Sequence, residues 1–141
     1  NCPYIDGCID REKTIRSELR TRAKEIKQEV SNLKDEVLHN PKFPQDVHIT
    51  MRGIKEWLNQ PHEHFREKNE LLLSIKDVFA NAQYLGPIDD HKKHNGVVMG
   101  YIFETEVSND ISWIIVHQTR WDEYVLYSIS DSSKLKEMIK K

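Results

Sequence analysis

The sequence predicts an α+β fold: N-terminal helices, one of them long, followed by a three- to four-stranded antiparallel sheet and a short C-terminal helix. Apolar residues recur at spacings of three and four through the first half of the chain, which is the period of amphipathic helices. From about Val97 onward the chain changes to runs rich in β-branched and aromatic residues, separated by short turns. Short turns favour antiparallel pairing, with the helices covering one face of the sheet.

A long helix is predicted first, from Asp10 to Leu38. Its apolar residues form a narrow stripe among Lys, Arg and Glu, at Leu19, Ala23, Ile26, Val30, Leu33 and Val37. Because such a stripe is a packing surface, we expect this helix to lie along the main domain or against another copy of the chain. Pro41 and Pro44 end the helical pattern and divide the chain into an N-terminal arm, residues 1–42, and an α+β domain, residues 43–141.

Two shorter helices are predicted next. Val47–Ile49 is a short extended piece and the candidate fourth strand. Thr50 is suited to be the N-cap of a helix that ends at Pro61. A third helix runs from about Phe65 to Tyr84. The segment from Leu85 to Gly96 is predicted to be a loop because it contains Gly-Pro and the polar run HKKHNG.

The strands are predicted at Val97–Val107, Ile111–His117 and Tyr124–Ser130. The second of these is the most apolar, so we expect it at the centre of the sheet, paired antiparallel to both neighbours. A turn at Asn109-Asp110 precedes it. The last element is a short helix from Lys134 to Lys140.

Composition and termini limit the class of protein. With 141 residues the chain suits one domain, and its 21 basic and 23 acidic residues are interspersed, which excludes a basic footprint over the whole surface. No apolar run approaches the roughly 20 residues of a membrane-spanning helix, and no signal-peptide pattern opens the chain, so we expect a cytoplasmic protein without membrane contact. The first residue is Asn1 rather than Met, which suggests a domain trimmed from a larger protein.

Cys2 and Cys8 are expected to be reduced thiols, with a small disulfide loop or half a zinc site as the alternatives.

Several catalytic motifs are absent from the sequence. It contains no GxGxxG or Walker loop, no HExxH, no GxSxG and no HxE with a distant CxxC. Nucleotide-dependent transfer, zincin proteolysis and zinc deamination therefore have no support. The seven histidines lack the neighbouring Asp, Glu and Cys of a metal cluster, so neither a metal nor another cofactor is predicted.

A reaction that needs none of these motifs is RNA cleavage by a metal-independent ribonuclease. Such an enzyme needs one group to deprotonate the 2′-hydroxyl, one to protonate the leaving oxygen, and a cation to stabilise the phosphorane. Histidine suits proton transfer near neutral pH. Residues of these types surround the short predicted helix, at His48, Arg52, Lys55 and His62. Ser128 and Ser130 share one face of the last strand and can contact phosphate or ribose.

Five segments from His48 onward resemble phage-encoded members of the barnase/EndoU/colicin/RelE-like nuclease superfamily: HITMRGIKEWLNQPH, NAQYLG, FET, SWIIV and YSISDS. The segment NCPYIDGCIDREKTIR resembles the lead-in that joins such a domain to an upstream module. These domains occur at the C-terminal end of phage minor head (MuF-type) proteins and in polyvalent proteins. The resemblance implies helices followed by a four-stranded antiparallel sheet, RNA as the partner, and a location in the bacterial host cytoplasm or with the phage.

The resemblance also implies a set of site residues. It places catalysis at His48, Arg52, Lys55 and His62, and substrate binding at Thr50, Ser128 and Ser130. Two other functions stay open. One is a non-catalytic docking or structural module, in which the predicted helix from Asp10 to Leu38 binds a partner or a second copy. The other is a nucleic-acid-binding regulator that stacks bases on Trp57, Tyr84, Trp113 or Trp121, although such aromatic residues commonly pack in the core.

Overall fold

The computed structural model describes residues 5–33, 36–60, 62, 64–88 and 96–132, with side chains described from Ser17 onward. The elements in chain order are α1 (Ile5–Ser31), β1 (Val37–Asn40), β2 (Phe43–His48), α2 (Met51–Asn59), α3 (Phe65–Glu70), a 3-10 turn (Leu71–Ser74), α4 (Ile75–Asn81), β3 (Gln83–Ile88), β4 (Val97–Val107), β5 (Asp110–Thr119) and β6 (Tyr124–Ser130). The predicted C-terminal helix and the side chains of both cysteines lie outside the described residues, so those predictions stay open.

The described strands form a mixed sheet rather than the predicted antiparallel sheet of three to four strands. Six strands lie in the order β1-β2-β6-β5-β4-β3. β2 and β6 run parallel, whereas each other neighbouring pair is antiparallel. The predicted sheet is therefore wrong in strand number and in strand direction. The prediction for β5 is confirmed, because β5 lies between β6 and β4 and pairs antiparallel to both.

The predicted long helix is too long at its C-terminal end. α1 ends at Ser31, and Val37–Asn40 forms β1, which pairs with β2. The helical spacing of Val37 misled the prediction, because one apolar residue fits a helix stripe and a short strand equally well. Pro44 is tolerated in β2 because it lies where the register with β1 is irregular, between the Asn40–Phe43 and Leu38–Val47 pairs, and because the parallel ladder with β6 begins only at Val47. The β1–β2 hairpin crosses the predicted boundary between residues 42 and 43.

The segment predicted to be a loop after Tyr84 begins with a strand. β3 spans Gln83–Ile88 and lies at the edge of the sheet. Gly86 has φ 146°, and the pairing register with β4 shifts between Tyr84 and Gly86, which is the signature of a β-bulge. Gly and Pro suggest a loop in sequence, but both are accepted in an edge strand with a bulge.

The sheet is curled, so that β2, which lies next to one edge, approaches β3 at the other edge. Phe43 of β2 lies 5.2 Å between ring centroids from Tyr84 of β3, although four strand positions separate β2 from β3 in the sheet. Phe43 also packs against Tyr101 and Phe103 of β4. The helices lie over the same face, where Ile26, Val30, Ile54, Trp57 and Phe79 are buried in one core. We call this the helix-covered face. Ile88, Ile102 and Trp113 form a smaller cluster on the opposite face.

A buried lysine closes the end of α2. The Lys68 ammonium donates to the main-chain oxygens of Trp57 and Gln60, at 2.7 Å for the second, while the Trp57 indole donates to the Lys68 carbonyl at 2.8 Å. The Trp57 carbonyl also accepts from the Gln60 amide at 3.4 Å, so the ammonium supplies a second hydrogen bond there and a partner for the Gln60 carbonyl just past the helix end. Burial lowers the pKa of Lys68 to about 8, although the charge of Asp131 opposes the shift.

The lowered pKa of Lys68 predicts a dependence of stability on pH. Between about pH 8 and the ordinary lysine value of 10.5, the unfolded chain holds a proton that the folded chain has released. Stability should therefore rise with pH in this window. Urea denaturation at pH 7.5 and 9.5 measures the rise, and Lys68→Met should remove it. Measurement stops below pH 10 because burial raises the pKa of Tyr84 and Tyr101, which has the opposite effect above that pH. An equal pH dependence in both proteins would contradict the assignment to Lys68.

Candidate functional site

Two of the predicted site residues line a cleft between the start of α2 and β6. Thr50 and Arg52 are joined there by His117 of β5 and Tyr127 of β6, around a volume of about 250 Å³. We call this the α2–β6 cleft. Its other described lining residues are Gly53, Gly96, Val97, Thr119, Trp121, Val125 and Leu126.

A glycine sets the distance between α2 and β6. Thr50 is the N-cap of α2, as predicted, and its hydroxyl accepts from the Gly53 amide at 3.1 Å. One turn into the helix, an ideal Cβ built on Gly53 would lie 2.0 Å from the Leu126 carbonyl oxygen. Only a residue without a side chain permits this approach. The identity of Gly53 therefore fixes one wall of the cleft.

His48 lies beside the same cleft. It pairs with Val125 across β2 and β6, and Val125 pairs with His117 across β6 and β5. Val47 and Val116 belong to the core on the helix-covered face, so strand alternation places His48 and His117 together on the opposite face. With neighbouring strands roughly 4.8 Å apart, their Cα atoms are about 10 Å apart. Two imidazoles thus flank Val125.

Aromatic and cationic groups complete the surroundings of the cleft. His117 is 6% exposed and stacks on Tyr127, with ring centroids 3.9 Å apart. Trp121 is 66% exposed, and the Arg120 guanidinium lies 4.5 Å from its ring. Of the four aromatic residues considered for base stacking, Trp57 and Trp113 are buried and Tyr84 packs on the core. Trp121 alone among those four presents a stacking surface. The sequence marked His117 only as the polar end of an apolar strand, so its place in a cleft was not predicted.

The two predicted serines lie farther along β6. Ser128 pairs with Ile115 and Ser130 pairs with Trp113, which places both on the face that carries His117. Ser130 is five strand residues from Val125, roughly 16 Å along the strand. Its hydroxyl accepts from the Ser132 amide at 3.1 Å. Ser128 is 1% exposed, so its hydroxyl does not face a ligand at the surface.

His62 lies at the other end of β5 and makes structural hydrogen bonds. Its Nδ1 accepts from the His64 amide at 2.8 Å, so the neutral ring carries its proton on Nε2. Nε2 then donates to the Ser112 hydroxyl at 2.8 Å. In this arrangement His62 is a donor and not a base towards Ser112. Next to it, the Asp110 carboxylate accepts a hydrogen bond from His64 Nε2. Ser112 and His117 are five residues apart on β5, roughly 16 Å.

Lys55 lies in a second depression, on the opposite side of α2. This depression runs between α1, α2 and the start of α3 and has a volume of about 310 Å³. Its floor is apolar, from Leu19, Ala23, Leu58 and Phe65, and its rim carries Arg20, Lys24, Lys27, Lys55 and Asn59. A contiguous depression of about 400 Å³ shares Lys24 and Lys27 and extends to Gln28, Ser31 and Met51. Together we call them the basic groove.

An ion pair holds α1 against α3 beside the basic groove. The Glu70 carboxylate accepts from the Arg22 guanidinium at 2.7 and 2.9 Å, in a bidentate arrangement. These hydrogen bonds lower the pKa of Glu70. Farther along α1, Ile26 and Val30 are buried in the core. The C-terminal half of the predicted stripe is therefore packed on the domain, while Leu19 and Ala23 line the groove.

The described residues hold no group of three or more His, Cys, Asp or Glu side chains arranged to bind a metal ion. Within the same part of the chain, no helix is long and apolar enough to cross a membrane. The seven predicted site residues are thus distributed over several places. His48, Thr50 and Arg52 gather at the α2–β6 cleft, whereas Lys55 lies in the basic groove and His62 at the far end of β5.

Comparison with known proteins gives a family for the chain. The family model described as large polyvalent protein-associated domain 3 matches residues 17–127, which include the described elements from the C-terminal half of α1 to the middle of β6. No curated protein and no solved structure matches the chain. The match indicates a domain of phage-associated polyvalent proteins and leaves membership of the nuclease superfamily without support. The matched segment covers most of the chain, which therefore belongs to the large polyvalent protein-associated domain 3 family.

Proposed function

We propose that this chain is a protein-docking module of a phage-associated polyvalent protein, and that the basic groove is its docking surface. The observation that carries the proposal is the lining of the groove. Among its described residues, four are cations and none is a carboxylate, around an apolar floor. The whole chain has a net charge of −2, so this local segregation of charge does not follow from composition. An apolar centre with a charged rim is the usual anatomy of a protein interface.

The distribution of the predicted catalytic residues supports docking over catalysis. Groups that transfer protons in one reaction must lie within hydrogen-bonding distance of one substrate. Lys55 and His62 lie on different sides of the domain from the α2–β6 cleft. Lys55 instead belongs to the groove rim. A role for the long helix in partner binding, which the sequence offered as an alternative, fits the contribution of Arg20, Lys24 and Lys27.

Zero-length cross-linking of the full-length polyvalent protein tests the docking function. A carbodiimide joins amines to carboxylates that are in contact. We expect Lys24, Lys27 or Lys55 to couple to carboxylates outside residues 1–141. Lys76 provides the internal control, because its ammonium lies 3.1 Å from Glu36 and should couple within the domain. Coupling of Lys76 to Glu36 without any external product from the three groove lysines would refute docking at the groove.

Ribonuclease activity is a second candidate, favoured by the α2–β6 cleft. His48 and His117 flank Val125 on one face of the sheet, and Arg52 lies in the lining. Two imidazoles can supply the base and the acid of 2′-hydroxyl attack, and a guanidinium can stabilise the charged phosphorane. Thr50 and the Trp121 ring would contact the nucleotide. This catalytic set differs from the one predicted from the sequence in two residues. His117 takes the place of His62, and Arg52 is the cation in the cleft without Lys55.

Cleavage of mixed RNA in EDTA tests this second candidate. If the cleft is catalytic, His48→Ala and His117→Ala should each lower the rate by about 10²-fold or more. His62→Ala and Lys55→Ala are matched controls outside the cleft and should stay within a few-fold of the parent protein. Loss of activity in the control variants instead would restore the set expected from the sequence. Absence of cleavage by the parent protein would remove the enzymatic candidate.

A further inference from the structure

We propose that the basic groove binds an acidic amphipathic helix of about three turns. This inference rests on the proposed docking function and names the chemistry of the partner. The groove has two helical walls, α1 on one side and α2 on the other, with α3 closing one end. An amphipathic helix laid between two helices buries its apolar stripe on the floor and presents its polar flanks to the rims.

The length of the groove sets the length of the helix. Along α1 its lining extends from Leu19 to Ser31, which at 1.5 Å per residue is roughly 18 Å. Along α2 it extends from Met51 to Asn59, roughly 12 Å by the same rise. A helix of about 12 residues spans the longer wall. The floor is apolar near one end, at Leu58 and Phe65, and again near the other, at Met51. Two apolar anchors about two turns apart would contact both.

The rim determines the charge of the partner. Arg20, Lys24 and Lys27 are spaced by four and three residues along α1, which places them in one row on the helix surface. Lys55 lies across the groove on α2. Carboxylates at matching spacings of three and four on a bound helix would face the row of cations. A single-stranded RNA also carries a row of negative charges, but the apolar floor offers no exposed aromatic ring on which bases could stack, since Phe65 is only half-exposed and lies against the Lys68 ammonium.

Synthetic peptides test the inference on the 141-residue chain. The probe is a labelled 12-residue peptide with leucines at helical spacing and glutamates elsewhere. Its controls are a peptide of the same composition with the apolar stripe scrambled, the same peptide with lysine for glutamate, and a 12-nucleotide single-stranded RNA. Fluorescence anisotropy at low and moderate salt measures each affinity. We expect the acidic amphipathic peptide to bind, and its affinity to fall as salt rises.

Charge reversal locates the binding. Lys24→Glu combined with Lys27→Glu should lower the affinity for the acidic amphipathic peptide by about tenfold or more, and tenfold equals about 1.4 kcal/mol of binding free energy. Lys42→Glu combined with Lys76→Glu changes the net charge equally, at exposed positions outside the groove, and should leave the affinity within about twofold. Three results would overturn the proposal that the groove binds an acidic amphipathic helix: equal binding of the scrambled peptide, binding of RNA alone, or no binding by any probe. The docking function itself fails only if the groove lysines also give no external cross-links in the full-length protein.

Discussion

Gly53→Ala is expected to lower the free energy of unfolding by about 3 kcal/mol, which is the upper range for forcing an added methyl group into a packed contact. Alanine ordinarily stabilises a helix by about 1 kcal/mol relative to glycine, so helix propensity alone predicts the opposite sign. The contact decides the sign here. The added Cβ would lie 2.0 Å from the Leu126 carbonyl oxygen, which is a main-chain atom of β6 and cannot rotate away.

Urea denaturation of Gly53→Ala and of Asn59→Ala distinguishes the effect of the contact with Leu126 on stability from the effect of helix propensity. Asn59 is exposed on the same helix, and its replacement should change stability by less than about 0.5 kcal/mol. Any relief of the clash in Gly53→Ala must move α2 away from β6. We therefore expect altered amide signals at both Thr50 and Leu126 in the folded fraction. A Gly53→Ala protein as stable as the parent would show that α2 does not approach β6 this closely.

Local patterns in the sequence were sufficient for much of the sheet. β6 has the predicted bounds, β4 has the predicted bounds, and β5 has the predicted central position because its apolar run suits burial on both faces. The N-cap at Thr50 also followed from sequence, since hydroxyl residues satisfy the first amides of a helix. These features depend on neighbours in the chain.

The elements that were missed depend on distant contacts. β1 is four residues long and, among the described strands, pairs with β2 alone. The short parallel ladder between β2 and β6 joins strands far apart in sequence. The spacing of apolar residues along the sequence does not predict which distant strands pair. The same limit applies to the candidate site. His117 was visible only as a histidine at the end of a strand, and its position near His48 follows from the register of three strands.

A buried asparagine explains how the first hairpin is held to the rest of the domain. The Asn40 amide nitrogen donates to the carbonyl oxygens of Phe79 and Ala82, each at 2.8 Å. Its side-chain oxygen accepts from the Lys42 amide at 2.9 Å, inside the turn between β1 and β2. The side chain is 5% exposed, so water does not replace these bonds. One residue thus joins the hairpin to the end of α4.

Asn40→Ala should lower the free energy of unfolding by about 3 kcal/mol, because it removes the Asn40 partner of the Ala82 carbonyl and of the Lys42 amide and leaves the Phe79 carbonyl with the Ala82 amide alone. Asn40→Asp keeps the acceptor for Lys42 but turns a carboxylate oxygen towards the two carbonyls, so we expect a loss at least as large at neutral pH. Chemical denaturation measures both, with exposed His39→Ala on the same strand as the control, expected to change stability by less than about 1 kcal/mol. If Asn40→Asp were as stable as the parent protein, the amide donor would not be what holds β1 against α4.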